Sequence, residues 1–150
     1  MYEPSLKYDR TPAERTNLLL SWKRSDRAFF ASGACHILAF TFASLHPNEG
    51  YRIIFIRPIK NYSGTHVYVT NGTWAFDFNG WTKESELIEV VKKSYRKENP
   101  KWDYKRIVIK VDMETFCKKN DHRSPAYFAH LPWERVYRYI KRFSSRPPLK

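Results

Sequence analysis

An α+β fold, with helices segregated around a central antiparallel sheet, follows from three features of the sequence. Asn71-Gly72 stands between two alternating runs, 65–70 and 73–78, which is the strongest short-range signature of a β-hairpin. Residues 51–57 and 105–111 are dense in β-branched and aromatic side chains, as strands are. Leu87, Val90, Val91 and Tyr95 recur at helical spacing, and the run from His36 to Leu45 is apolar nearly all round, the pattern of a buried helix.

The elements follow in order. Residues 1–11 read as a flexible, extended arm. Thr11-Pro12 opens a helix, with Thr as N-cap and Pro at the first helical position, running to about Arg24. Ser25-Asp26-Arg27 ends it, and Ala28 to Ala31 is a short apolar approach. Ser32-Gly33-Ala34 is a small-residue turn into the buried helix that Cys35 begins, and Pro47 to Gly50 ends that helix. Strand 51–57, a loop over 58–64 and the hairpin come next. Thr82 caps a helix over about 83–97 that Asn99-Pro100 stops. After strand 105–111, Asp112 caps a short helix through Cys117. A last helix spans about 125–143, bent or split at Pro132. Residues 144–150 form a flexible basic tail. The 150 residues fit one domain, with neither an internal repeat nor a linker.

Composition narrows the class. The chain is 42% hydrophobic and 17% aromatic, enough for a core, and has no run of 18 apolar residues, so no membrane span is expected. The first ten residues lack the apolar centre of a secretory signal, which points to a cytoplasmic protein or to export without such a signal. Cys35 and Cys117 are too few for a disulfide framework or a cysteine zinc site and are expected to be free thiols. The five histidines show no metal-ligand spacing, and no cofactor is expected. A net charge of +12 admits an acidic protein or peptide, an anionic surface or nucleic acid as partner and does not choose among them. The oligomeric state is not encoded in any feature of the sequence. On the last helix, Arg135, Arg138, Lys141 and Arg142 alternate with Tyr137, Tyr139 and Phe143, which suits a solvated face beside a core stripe as well as it suits base stacking.

The hairpin carries the chemistry. A type I′ turn with Asn71 and Gly72 as its two central residues pairs Thr70 with Thr73, Tyr68 with Ala75 and His66 with Asp77. Directly opposed side chains lie about 5 Å apart at Cβ, so the carboxylate can orient the imidazole. Val67, Val69, Trp74, Phe76 and Phe78 make the other, buried face. Cys35 completes the set. A thiol in the first turn of a helix is acidified by the helix N-terminus, and further by a neighbouring imidazolium. Cys35 is then the nucleophile, His66 the acid and base, and Asp77 the orienting carboxylate. Gly33, Asn79, Trp81 and Trp22, with loop 58–64, are the candidates for lining a substrate groove. His36 points to a different side of the helix and reads as a polar contact, and Asn79 is a second, less well registered orienter.

These residues resemble the papain-like cysteine hydrolase superfamily. The resemblance rests on the small-residue turn into Cys35-His36-Ile37-Leu38-Ala39, on His66 in a strand, and on Ala75-Phe76-Asp77-Phe78-Asn79-Gly80 in its partner. It covers about residues 30–82, in a Cys-His-Asp order shared with transglutaminase-like proteins and arylamine acetyltransferases. It implies amide or ester chemistry through a thioester, as in a protease, a deamidase or a transglutaminase-like enzyme. Papain-like peptidases place a glutamine upstream of the cysteine to complete the oxyanion hole, and this chain contains no glutamine. Asn17, the Ser25 or Ser32 hydroxyl, or an amide near Gly33 is left to serve. The alternative is a basic nucleic-acid-binding or protein-interaction module on a catalytically inactive scaffold of the same kind.

Overall fold

The computed structural model describes residues 1–149. Five strands, β1 (Arg52–Pro58), β2 (His66–Thr70), β3 (Trp74–Asp77), β4 (Gly80–Lys83) and β5 (Tyr104–Val108), form one sheet in the order β4-β3-β2-β1-β5, antiparallel at every junction. Among the described residues there are seven α-helices: α1 (Pro12–Thr16), α2 (Leu18–Trp22), α3 (Asp26–Ala31), α4 (Cys35–Leu45), α5 (Glu84–Glu98), α6 (Met113–Asn120) and α7 (Trp133–Ile140). The fold is α+β. No helix among the described residues is long and apolar enough to cross a membrane.

Both faces of the sheet are covered, not one. Val67, Val69, Phe76 and Phe78 pack under α4 in the larger core, where the rings of Phe42 and Phe76 stack with centroids 3.9 Å apart. Ile54, Ile56, Tyr68 and Ala75 pack against Leu87, Val91 and Tyr95 of α5 on the other side. Every residue of β2 is therefore buried. This central strand reads as alternating in sequence only because its second face is lined by His66, Tyr68 and Thr70, whose polar atoms need partners.

The hairpin forms one residue further along than a type I′ turn on Asn71-Gly72 requires. The observed pairs are Thr70 with Ala75 and Val69 with Phe76. Asn71 stays at the strand end: its N–H donates to the Trp74 carbonyl (3.1 Å), and its Oδ1 accepts from the amides of Thr73 (2.9 Å) and Trp74 (2.8 Å). Only Gly72 takes a positive φ, 101°. Gly72 is thus the first central residue of a Gly72-Thr73 turn, the position where a type II′ turn wants glycine. The side chain of Asn71 can bridge both amides only from the flank of the turn, and that preference moves the bend. The shift changes each pairing by two residues. Since a strand repeats every two residues, all side chains keep their faces.

The other departures lie in short-range punctuation. Asn17 breaks the expected 12–24 helix, closing α1 and capping α2 through Oδ1 bonds to the amides of Leu19 and Leu20. Ser25 caps a further helix, α3, whose Phe29 and Phe30 enter the core. Residues 1–11 are not an extended arm: Tyr2 and Ser5 are buried, and Ser5–Tyr8 forms a 3₁₀ turn. Residues 80–83 pair as the edge strand β4, and Lys83, not Thr82, occupies the N-cap of α5. Pro132 separates α7 from a 3₁₀ turn at Pro125–Tyr127, so the last helix is split. The start of the expected free tail is tied to the sheet, with the carbonyls of Ser144 and Ser145 accepting from Trp81 Nε1 and the Tyr51 hydroxyl. Lys150 lies outside the described residues.

Candidate active site

Cys35 is the first residue of α4, preceded by Ala34, which offers no capping side chain. Gly33 makes this entry tight: its φ is 106°, and a Cβ there would sit 3.3 Å from the Arg10 guanidinium. The first amides of α4 have no intrahelical acceptor, so they and the helix dipole present positive potential to the sulfur. α4 packs along β2 with Phe42 over Phe76 at one end and Cys35 beside His66 at the other.

Asp77 ends β3, and His66 begins β2. In the observed register they are diagonal neighbours on one face, not directly opposed, and the long imidazole spans the difference. His66 Nε2 donates to Asp77 Oδ2 over 2.9 Å, with both side chains buried. The carboxylate is held from two further directions: the Tyr2 hydroxyl donates to Oδ2 (2.6 Å) and the Asn79 amide N–H donates to Oδ1 (2.9 Å). With Nε2 committed to Asp77, the nitrogen left for the thiol is Nδ1, which is buried and has no hydrogen-bond partner.

The titration of the two groups reflects this arrangement. Burial works to raise the Cys35 thiol, but the neighbouring imidazoles of His122, His36 and His66 and the charge of His66 overcome it and hold the thiol well below the usual range. Burial works to lower His66, and Asp77 and the Cys35 thiolate outweigh it, pushing the imidazole up to about 10. Each group favours the charged form of the other, which is the condition for a thiolate–imidazolium pair.

Cys35 opens onto a cavity of about 580 Å³. Ser32, Gly33, Ser63, Gly64 and Thr65 make part of its wall, so the end of the expected groove loop does border the sulfur. Arg10, Arg15 and Arg123 line it together with Asp9 and Asp121. The Nε of Arg10 is buried without a partner.

Of Gly33, Asn79, Trp81 and Trp22, Gly33 alone lines this cavity. Asn79 is used structurally: its Oδ1 accepts from Arg27 (2.7 Å) and from the Glu3 amide (3.1 Å). Trp81 lies on the edge strand against Phe42, Phe76 and Tyr51. Trp22 packs on Phe29 and His130 beneath the Arg135 guanidinium. Both tryptophans are drawn to the core by their size. Asn17 and Ser25 are spent as helix caps, which leaves Ser32 and the amides of the Gly33–Cys35 turn for an oxyanion.

Three residues join the site without a signal strong enough to assign them from sequence. Tyr2 comes from the segment expected to be a free arm. His36, read as a polar contact, is fully buried, and its Nε2 donates to the Arg123 carbonyl (2.7 Å). His122 follows the left-handed Asp121 that closes α6, and its Nδ1 donates to the Asn120 carbonyl (2.8 Å). Donor atoms of Cys35, His36 and His122 all lie within 4.8 Å of one another, a set that could hold a metal ion although the chain shows no ligand spacing. Comparison with known proteins gives no match: no family model fits the chain, and no curated protein or solved structure resembles it significantly.

Proposed function

We propose that this protein is a thiol-dependent hydrolase or acyltransferase of papain-like type, acting on amide or ester bonds with Cys35 as nucleophile, His66 as acid and base, and Asp77 as orienter. The observation that carries the reading is a buried His66–Asp77 bond of 2.9 Å whose free ring nitrogen is left for a thiol at a helix start. The Cys35 thiolate attacks the carbonyl carbon, and the oxyanion meets the amide N–H groups of the α4 entry. The imidazolium Nδ1–H then protonates the leaving amine or alcohol as the carbonyl re-forms, giving a thioester. Water or an amine, deprotonated by His66, attacks the thioester, and the thiolate leaves with its charge restored. The arginines around the cavity favour a substrate with acidic groups, in keeping with the charge of +12.

The test is alkylation by iodoacetamide near pH 6, followed by labelling with an acylating, thiol-directed probe. Cys35 should react far faster than an ordinary thiol, and His66→Ala should remove the advantage. A Cys35 that reacts no faster than a small free thiol overturns the reading and leaves a basic binding module, whose affinity for duplex nucleic acid should then fall steeply with salt.

A further inference from the structure

The geometry points to a second use of the same sulfur: Cys35, His36 and His122 form a site for a zinc-class divalent ion, with the fourth coordination position open to the cavity. The inference shares Cys35 with the thiol-chemistry reading but does not rest on it, because neither His66 nor Asp77 is among the ligands.

Four observations converge. The first is the donor set. One thiolate and two imidazoles suit a borderline-soft ion with tetrahedral preference, and three protein ligands with one open position is the arrangement of metal sites that accept a further ligand. The second is spacing. With metal–sulfur and metal–nitrogen bonds of about 2.3 and 2.0 Å, tetrahedral donors stand about 3.3–3.6 Å apart. The donor atoms here are within 4.8 Å of one another, so small side-chain rotations close the set.

The third is how the rings are held. His36 Nε2 donates to the Arg123 carbonyl and His122 Nδ1 to the Asn120 carbonyl. A carbonyl only accepts, so each outer nitrogen carries a proton, and the neutral form of each ring turns its lone pair inward. Metal-bound histidines are fixed in the same way, by an outer N–H given to a carbonyl or carboxylate. The fourth is an orphan: His36 Nδ1 is fully buried and has no hydrogen-bond partner. An unpaired acceptor in the interior is costly unless something occupies its lone pair. His66 differs in this respect, because its Nε2 is already held by a carboxylate. The ion takes the sulfur that the nucleophile needs, so metal occupancy and thioester formation are mutually exclusive. The ion acts as a reversible stopper on the nucleophile.

The experiment is a Co²⁺ titration of the full chain, followed by displacement with Zn²⁺. The wild-type protein should bind one equivalent, with a thiolate-to-cobalt charge-transfer band and intense tetrahedral d–d bands. Cys35→Ser should lose the charge-transfer band. His122→Phe, which keeps a ring in the same packing, should lose on the order of 100-fold or more in affinity, beyond the 10–100-fold that losing a supporting contact costs. Cys117→Ala should bind as the wild type does. In the unmutated protein, Zn²⁺ should shield Cys35 but not Cys117 from iodoacetamide, read by mass spectrometry, so the outcome does not depend on any variant folding.

Wild-type affinity in His122→Phe, loss of binding in Cys117→Ala, or no shielding of Cys35 overturns the site. The two readings fail separately. Fast alkylation that Zn²⁺ does not block leaves the thiol chemistry and removes the metal, whereas Co²⁺ binding to a Cys35 that alkylates slowly does the reverse.

Discussion

The two cysteines occupy regions that differ little in burial and greatly in chemistry. Cys35 is 7% exposed and Cys117 is 4% exposed. Burial raises the Cys117 thiol, the Glu114 carboxylate adds to it, and the thiol is pushed up to about 11. Cys35 starts from the same penalty and ends well below the ordinary range. Cys117 lies beyond the first turn of α6, and its sulfur reaches only the Arg123 carbonyl, at 3.8 Å. Cys35 opens α4 and has three imidazoles around it. Burial alone makes a thiol inert. What its neighbours can donate decides whether burial is overcome.

The largest test of this contrast is selective alkylation near pH 6. Cys35 should react at least about 100-fold faster than Cys117, since the thiolate is the nucleophile. Cys117→Ala should leave the rate unchanged, and Cys35→Ala should abolish both the fast phase and any acyl transfer. Equal rates at the two sites would erase the distinction. Next comes His66→Ala, expected to lower acyl-transfer kcat by about 10²–10⁴-fold, the usual worth of a general acid–base. The pH profile of the proposed acyl transfer should be bell-shaped. Its acid limb, set by Cys35, lies below the ordinary thiol range, and its alkaline limb approaches 10 as His66 deprotonates. An acid limb near 9 would mean that Cys35 titrates like an unassisted thiol.

A third, smaller effect is expected from Gly64→Ala. Gly64 holds φ 114°, and a Cβ there would lie 2.9 Å from the Tyr95 ring and 3.1 Å from Trp102 Nε1. The strained backbone and the clash should cost about 1–3 kcal/mol in chemical denaturation. Displacing the entry to β2 should slow Cys35 alkylation while leaving Cys117 as it is. Slowing at both sites would show that the variant perturbs the whole core. The smallest is Tyr2→Phe, which removes one of the bonds to Asp77. Retention of the His66 and Asn79 bonds should limit the loss to about 1 kcal/mol, or roughly fivefold in kcat, with KM unchanged. A loss as large as that of His66→Ala would make the Tyr2 hydroxyl a direct participant.

Sheet, hairpin and the start of α4 were legible because each is written in neighbouring residues. Asn71-Gly72 marks a turn, the 51–57 run marks a strand, and Ser32-Gly33-Ala34 marks an entry to an apolar helix. Asn17 was not legible as a break, because a capping asparagine and a helical one look alike until the chain on either side has a direction. Trp22 and Trp81 as groove residues followed from their type alone, and their packing against Phe29 and Phe42 is a property of the assembled core. His122 gave no signal at all, being 87 residues from Cys35.

From sequence alone came the face on which each β2 and β3 side chain stands, because the pleat repeats every two residues whatever the turn does. His66 and Asp77 therefore had to share a face, and a bend displaced by one residue could not separate them. Which two further imidazoles and which tyrosine gather around Cys35 and this pair, and which arginines wall the cavity, were decided only by tertiary structure. Those contacts join segments far apart in the chain, and burying both faces of β2 is what brings them together.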